Sequence, residues 1–206
     1  MVGVGAGRGA MDVRSAINAA LLGAAFALLG FAAASRTRTL VSVRNRGQLA
    51  LLTLAVGTGL GLFNLSVNWA IAQIHPTLRA LLVERFRDIG LVDGVLAAPL
   101  LEEVTVRLFV MSAIAWVVFR ISKRATLAFV LALVASAVFF AALHLFRPLP
   151  LDPALATYYR VALMAKYTVA GAVLGWVFWR WGLPYAILSH ALVNATHSLL
   201  EQFVFQ

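Results

Sequence analysis

The chain has 206 residues, 62% of them hydrophobic and 12% charged, with a mean hydropathy of +0.91 and a formal net charge of +9. Soluble domains are about 45–50% apolar and about 25% charged, so this composition belongs to an integral membrane protein built as one compact bundle. It leaves no soluble basic domain to bind nucleic acid, and the absence of cysteine excludes disulfides, thiolate metal sites and cysteine nucleophiles.

In chain order, residues 1–15 are Gly-rich with Arg8 and Arg14 and read as a disordered tail, ahead of a single transmembrane domain over 16–206. Ala16 to Ala34 is the first apolar run, and a strongly basic loop with Arg36, Arg38, Arg44 and Arg46 follows it. The length of the run and that loop favour an uncleaved helix over a signal peptide. A second span runs from Leu49 to Ile74, where Gly57, Gly59 and Gly61 would allow close helix approach. From Pro76 to Gly94 the pattern changes. Leu78, Leu81, Leu82, Phe86 and Ile89 recur at helical spacing, with Arg79, Glu84, Arg85, Arg87 and Asp88 on the other face, which predicts an amphipathic helix in the interface. Further spans are expected at Val95–Phe119, Ala125–Phe146, Val161–Trp179 and Pro184–Phe205, with Trp179, Trp181 and Tyr185 as an aromatic belt around Gly182. The fold class is therefore all-α, a polytopic membrane bundle of about six transmembrane helices plus one interfacial helix. The densest short basic loops place both termini outside.

Ionisable groups at membrane depth are expensive and need a reason to be there. The stretch Pro99 to Arg107 puts Glu102, Glu103 and Arg107 inside an apolar run. Glu103 and Arg107 can pair one turn apart, acid N-terminal to base, whereas Glu102 points about 100° away and has no local partner. The fourth span adds Phe140 and His144, and the sixth carries His190, Asn194, His197 and Glu201 as one polar stripe. The start of the third span and the end of the fourth lie on the same side, so a cavity entered there can be lined by all of these. A carboxylate in such a cavity can activate water for hydrolysis, with His144 sharing the water and His190 and Asn194 donating toward one oxyanion. Glu103 with Arg107 reads as a supporting buried pair, and His197 as a helix–helix contact. Three other readings use the same residues. Glu102, His144, His190 and His197 are possible Zn²⁺ ligands by type. The groove could hold transmembrane helices without chemistry, as an immunity factor or scaffold. The Glu and His residues could also relay protons in a transporter, although no inverted repeat is present.

The ordered set Pro99-Leu-Leu-Glu102-Glu103-x-x-x-Arg107, Phe140-x-x-x-His144 and His190-x-x-x-Asn194 resembles the CAAX protease and bacteriocin-processing family, glutamic intramembrane endopeptidases related to Rce1. The likeness covers roughly residues 95–200 and includes Gly171-x-x-x-Gly175 and the Trp181-Gly-Leu-Pro-Tyr185 turn. It implies catalytic roles for Glu102, His144, His190 and Asn194, supporting roles for Glu103, Arg107 and Phe140, and no metal or other cofactor. It also implies a multi-pass protein of the cell membrane acting on a membrane-embedded or membrane-anchored peptide or protein. Val106 and Leu108 depart from the family pattern, which has Phe before the motif Arg and Gly after it.

Overall fold

A computed structural model describes residues 46–87, 93–145 and 149–205 of the chain. The expected tail, the first span and the basic loop up to Asn45 lie outside the described residues. So do Asp88, Ile89 and Phe146, the last residue of the expected fourth span.

Every regular element among the described residues is a helix: α1 (Arg46–Ile74), α2 (Pro76–Arg87), α3 (Asp93–Ser122), α4 (Ala125–Leu143), α5 (Pro153–Trp181) and α6 (Leu183–Val204). Local chemistry sets their ends. Lys123, in the left-handed conformation, caps α3 and reverses the chain into α4. Asp152 starts α5 by accepting hydrogen bonds from the amides of Ala154 and Leu155 at 3.1 and 3.0 Å, with Pro153 at the first helical position. Because that cap lies upstream of the apolar run, α5 begins well before the expected Val161. Gly182, with φ of +90°, takes the backbone conformation that separates α5 from α6.

Helices α1, α3, α4 and α5 are long and apolar enough to cross a membrane, and the protein is a multi-pass membrane bundle. Helix α6 is long enough but is not among them, since its polar stripe lowers its hydropathy. Its polar residues turn inward: Ser189, His190, His197 and Glu201 are all buried. Helix α2 buries Leu78 and Leu82 completely, in a cluster with Ile71 of α1 and Tyr159 and Leu163 of α5. Much of its apolar face is thus covered by the bundle itself.

The bundle closes most tightly where α1 crosses α6. A Cβ on Gly57 would lie 2.5 Å from Leu192 Cβ and 2.8 Å from the Ser189 carbonyl; one on Gly61 would lie 2.8 Å from Thr196 Cβ. Gly59 faces open space. The expected glycine seam therefore consists of two residues one helical turn apart, with the third on the opposite face. Against α4, Gly171 and Gly175 similarly meet Ala137 and Leu133. Directly around the motif residues lies an apolar cluster of Leu60, Val106, Phe140, Ala170, Leu174 and Val193, drawn from five helices. Val106 and Leu108, the departures from the family pattern, are buried.

Gly57→Ala and Gly61→Ala are each expected to destabilise the protein by about 1–3 kcal/mol through overpacking, and Gly59→Ala to be neutral or slightly stabilising. Thermal unfolding in detergent, followed by loss of monodispersity, checks this; equal losses at all three positions would contradict the seam.

Candidate active site

Helix α3 is not a uniform α-helix. π-helical stretches at Asp93–Ala97 and Val104–Met111 flank a short α-helical segment, Ala98–Glu103, that opens with Pro99 near its start. π-turns inside α-helices are rare and gather at functional sites. Glu103 is the last residue before the second stretch, and Arg107 lies within it.

Glu103 and Arg107 are both fully buried, and Arg107 Nε donates to Glu103 Oε2 at 3.1 Å. The other carboxylate oxygen, Oε1, accepts from His190 Nδ1 of α6 at 2.9 Å. Both oxygens of Glu103 are therefore engaged by donors, as a buried carboxylate requires. The guanidinium carbon of Arg107 stands 5.1 Å from the centroid of the Phe140 ring, a cation–π contact. Its Nη1 and Nη2 are buried without a hydrogen-bond partner among the described residues. Phe140 also packs edge-on against His190, with ring centroids 5.8 Å apart.

Glu102 differs from its neighbour in exposure, since 31% of its side chain is accessible against none of Glu103. Its Oε1 lies 4.0 Å from His144 Nε2 and its Oε2 lies 3.8 Å from His190 Nε2. The tautomer of His144 follows from its other nitrogen. Nδ1 is 2.9 Å from the Phe140 carbonyl, which can only accept, so Nδ1 carries the proton and Nε2 is the atom facing Glu102. For His190 the same reasoning applies, with Glu103 as acceptor. One carboxylate is thus flanked by two imidazoles, each held by a bond on its far side.

Glu102, His144 and His190 come together as the sequence predicts, with Glu103, Arg107 and Phe140 beneath them. Asn194 has a further partner. Its Nδ2 donates one N–H to the Gly94 carbonyl at 2.7 Å, tying α6 to the start of α3, a contact the sequence does not predict. His197 lies apart. Its Nε2 is 2.9 Å from Asn68 Nδ2, and its Nδ1 is 3.7 Å from Glu201 Oε2. Lys166 Nζ of α5 donates to Asn68 Oδ1 at 2.9 Å, which fixes the amide orientation and makes His197 Nε2 the acceptor. This second buried layer joins α1, α5 and α6. No group of three or more His, Asp or Glu side chains placed to hold a metal ion occurs among the described residues.

Lys166 and Asn68 are not among the residues predicted from sequence. Lys166 carried a usable signal, as a cation inside an apolar span. Asn68 carried only its polarity, and its partners come from helices distant in sequence.

Glu103→Gln is expected to lower stability by about 3–5 kcal/mol, because it leaves the Arg107 charge buried without its anion. Glu102→Gln should cost little stability. His197→Ala should destabilise by about 1–3 kcal/mol through the unpaired Asn68 amide. Denaturation of the three variants in one detergent gives the ranking.

Residues 89–196 match the family model described as type II CAAX prenyl endopeptidase Rce1-like. No curated protein and no solved structure matches the chain. The family match spans more than half of the 206 residues and takes in both glutamates, His144, His190 and Asn194. The chain belongs to the Rce1-like family of type II CAAX prenyl endopeptidases, as a multi-pass, CAAX-type membrane peptidase.

Proposed function

We propose that the protein is a glutamic intramembrane endopeptidase in which Glu102 is the general base. The observation that carries this reading is the accessible Glu102 carboxylate set 4.0 and 3.8 Å from two histidine nitrogens inside a membrane bundle. Atoms at that separation are too far apart for a direct hydrogen bond, yet a single oxygen can lie about 2.8 Å from both. A water held between Glu102 and His144 gives its proton to Glu102 as its oxygen attacks the scissile carbonyl carbon. The C=O electron pair moves onto oxygen, and the resulting oxyanion is met by Asn194, whose amide has a second N–H beyond the one bound to Gly94, and by His190 protonated on both ring nitrogens, with Nδ1–H held by Glu103 and Nε2–H turned to the oxyanion. Collapse of the tetrahedral intermediate re-forms the carbonyl and breaks the C–N bond. The proton held by Glu102 passes to the leaving amine, so acid and base are restored for the next turnover.

Glu103 has a supporting part in this scheme. Its carboxylate holds His190 by Nδ1 and thereby aims Nε2 at the reacting side. The substrate is a membrane-anchored peptide or protein, and the family description makes a prenylated peptide ending in Cys-a-a-X the probe to use first.

In nanodiscs, Glu102→Gln is expected to reduce turnover of that probe about a thousandfold while the protein inserts normally. Asn194→Ala should reduce kcat about a hundredfold with little change in KM, the mark of a contact made in the transition state. Full activity of Glu102→Gln would overturn the assignment. Activity should also survive chelator treatment; loss on chelation, restored by Zn²⁺, would move the chemistry to a metal-bound water.

A further inference from the structure

Three features that the proposed reaction does not use stand out: the Lys166–Asn68–His197–Glu201 layer, the buried Nη atoms of Arg107, and the aromatic ring that lies between that layer and the site. The ring belongs to Tyr167 of α5. It stacks on the His144 imidazole with centroids 4.1 Å apart and planes 24° apart, and it meets Phe140 edge-on at 6.2 Å. The Lys166 ammonium stands 4.6 Å from the centroid of the same ring.

We propose that Tyr167 is a positioning residue for the reaction, holding the His144 ring in the plane from which Nε2 faces Glu102. The proposal rests on the reading of Glu102 and His144 as the water-activating pair. His144 sits at the C-terminal end of α4, where the helix gives way to a turn, and its Nδ1 is bonded to the Phe140 carbonyl. A bond at Nδ1 sets the direction of the ring but not its tilt about that bond. A parallel aromatic face sets the tilt, because turning the imidazole out of that plane breaks its stacked contact with the Tyr167 ring. Tyr167 can serve as a fixed wall because the neighbouring residue is anchored. Lys166 is bound to Asn68 of α1, and Asn68 to His197 of α6, so α5 is pinned at this level against two helices. The second polar layer therefore supports the first through one aromatic ring.

The test uses full-length protein in nanodiscs with Tyr167→Leu, Tyr167→Met and Tyr167→Phe, alongside wild type and Glu102→Gln. Turnover is read on a farnesylated Cys-a-a-X peptide, and the ring protons of His144 are read by NMR with labelled histidine, assigned through His144→Gln. The Leu and Met variants should lose about tenfold in kcat with KM within about twofold of wild type, while Phe restores kcat. The His144 resonances should move toward the free-imidazole position in Leu and Met and stay in place in Phe. An unchanged kcat in Leu and Met, or unmoved His144 resonances, overturns the positioning role. So does failure of both to insert as monodisperse protein, which would make Tyr167 a packing residue. An inactive wild type overturns the hydrolase reading instead, and an active Glu102→Gln overturns the assignment of Glu102 as the base; in either case the NMR arm decides the placement of Tyr167 by itself.

Discussion

The Glu103 carboxylate, fully buried and shared between Arg107 on its own helix and His190 on α6, is the interaction on which the remaining arrangement depends. A lone carboxylate at this depth would be strongly unfavourable, and two donors on its two oxygens remove most of that penalty. Because one donor is local and the other comes from a distant helix, the same group sets the helix face of Arg107 and the position of α6. Placing α6 in turn brings His190 Nε2 to within 3.8 Å of Glu102. Removing the charge on Glu103 would therefore disturb a cation, a helix contact and an imidazole orientation together.

Two adjacent glutamates have been given opposite environments by nothing more than helical rotation. Glu103 points into the bundle, where every oxygen has a donor. Glu102 points toward the accessible side, where it meets histidine nitrogens at distances that suit a third polar atom between them. One carboxylate is thus accessible and the other is not. The π-helical stretch that begins at Val104 lies immediately after this pair, and Ser112 closes it with a bond from Oγ to the Arg107 carbonyl. Within this stretch Val106, Arg107 and Leu108 are all buried.

Helix α6 carries two polar layers. The first, at His190 and Asn194, engages α3; the second, at His197 and Glu201, engages α1 and reaches Lys166 through Asn68. Hydrogen bonds between helices hold membrane bundles where the hydrophobic effect no longer drives association, and small residues permit the approach that makes those bonds short. Gly57 and Gly61 supply that approach, so the α1–α6 contact is at once the tightest packing and the route by which the second layer forms.

Composition alone determined that this is a membrane bundle, and the periodicity of apolar runs located α1, α3, α4, α5 and α6 to within a few residues at most of their ends. Rarity of polar groups in those runs singled out Glu102, Glu103, Arg107, His144 and His190, and the spacing of Glu103 and Arg107 sufficed to pair them, since an i,i+4 contact is a property of one helix. Contacts between helices are different in kind. That His190 donates to Glu103, that Asn194 is tied to Gly94, that only two of three glycines face α6, and that Lys166 finds Asn68 and His197 all depend on the relative rotation and depth of helices far apart in sequence. A helix face records that it will be buried, not what it will be buried against. Only the packed bundle decided those partners.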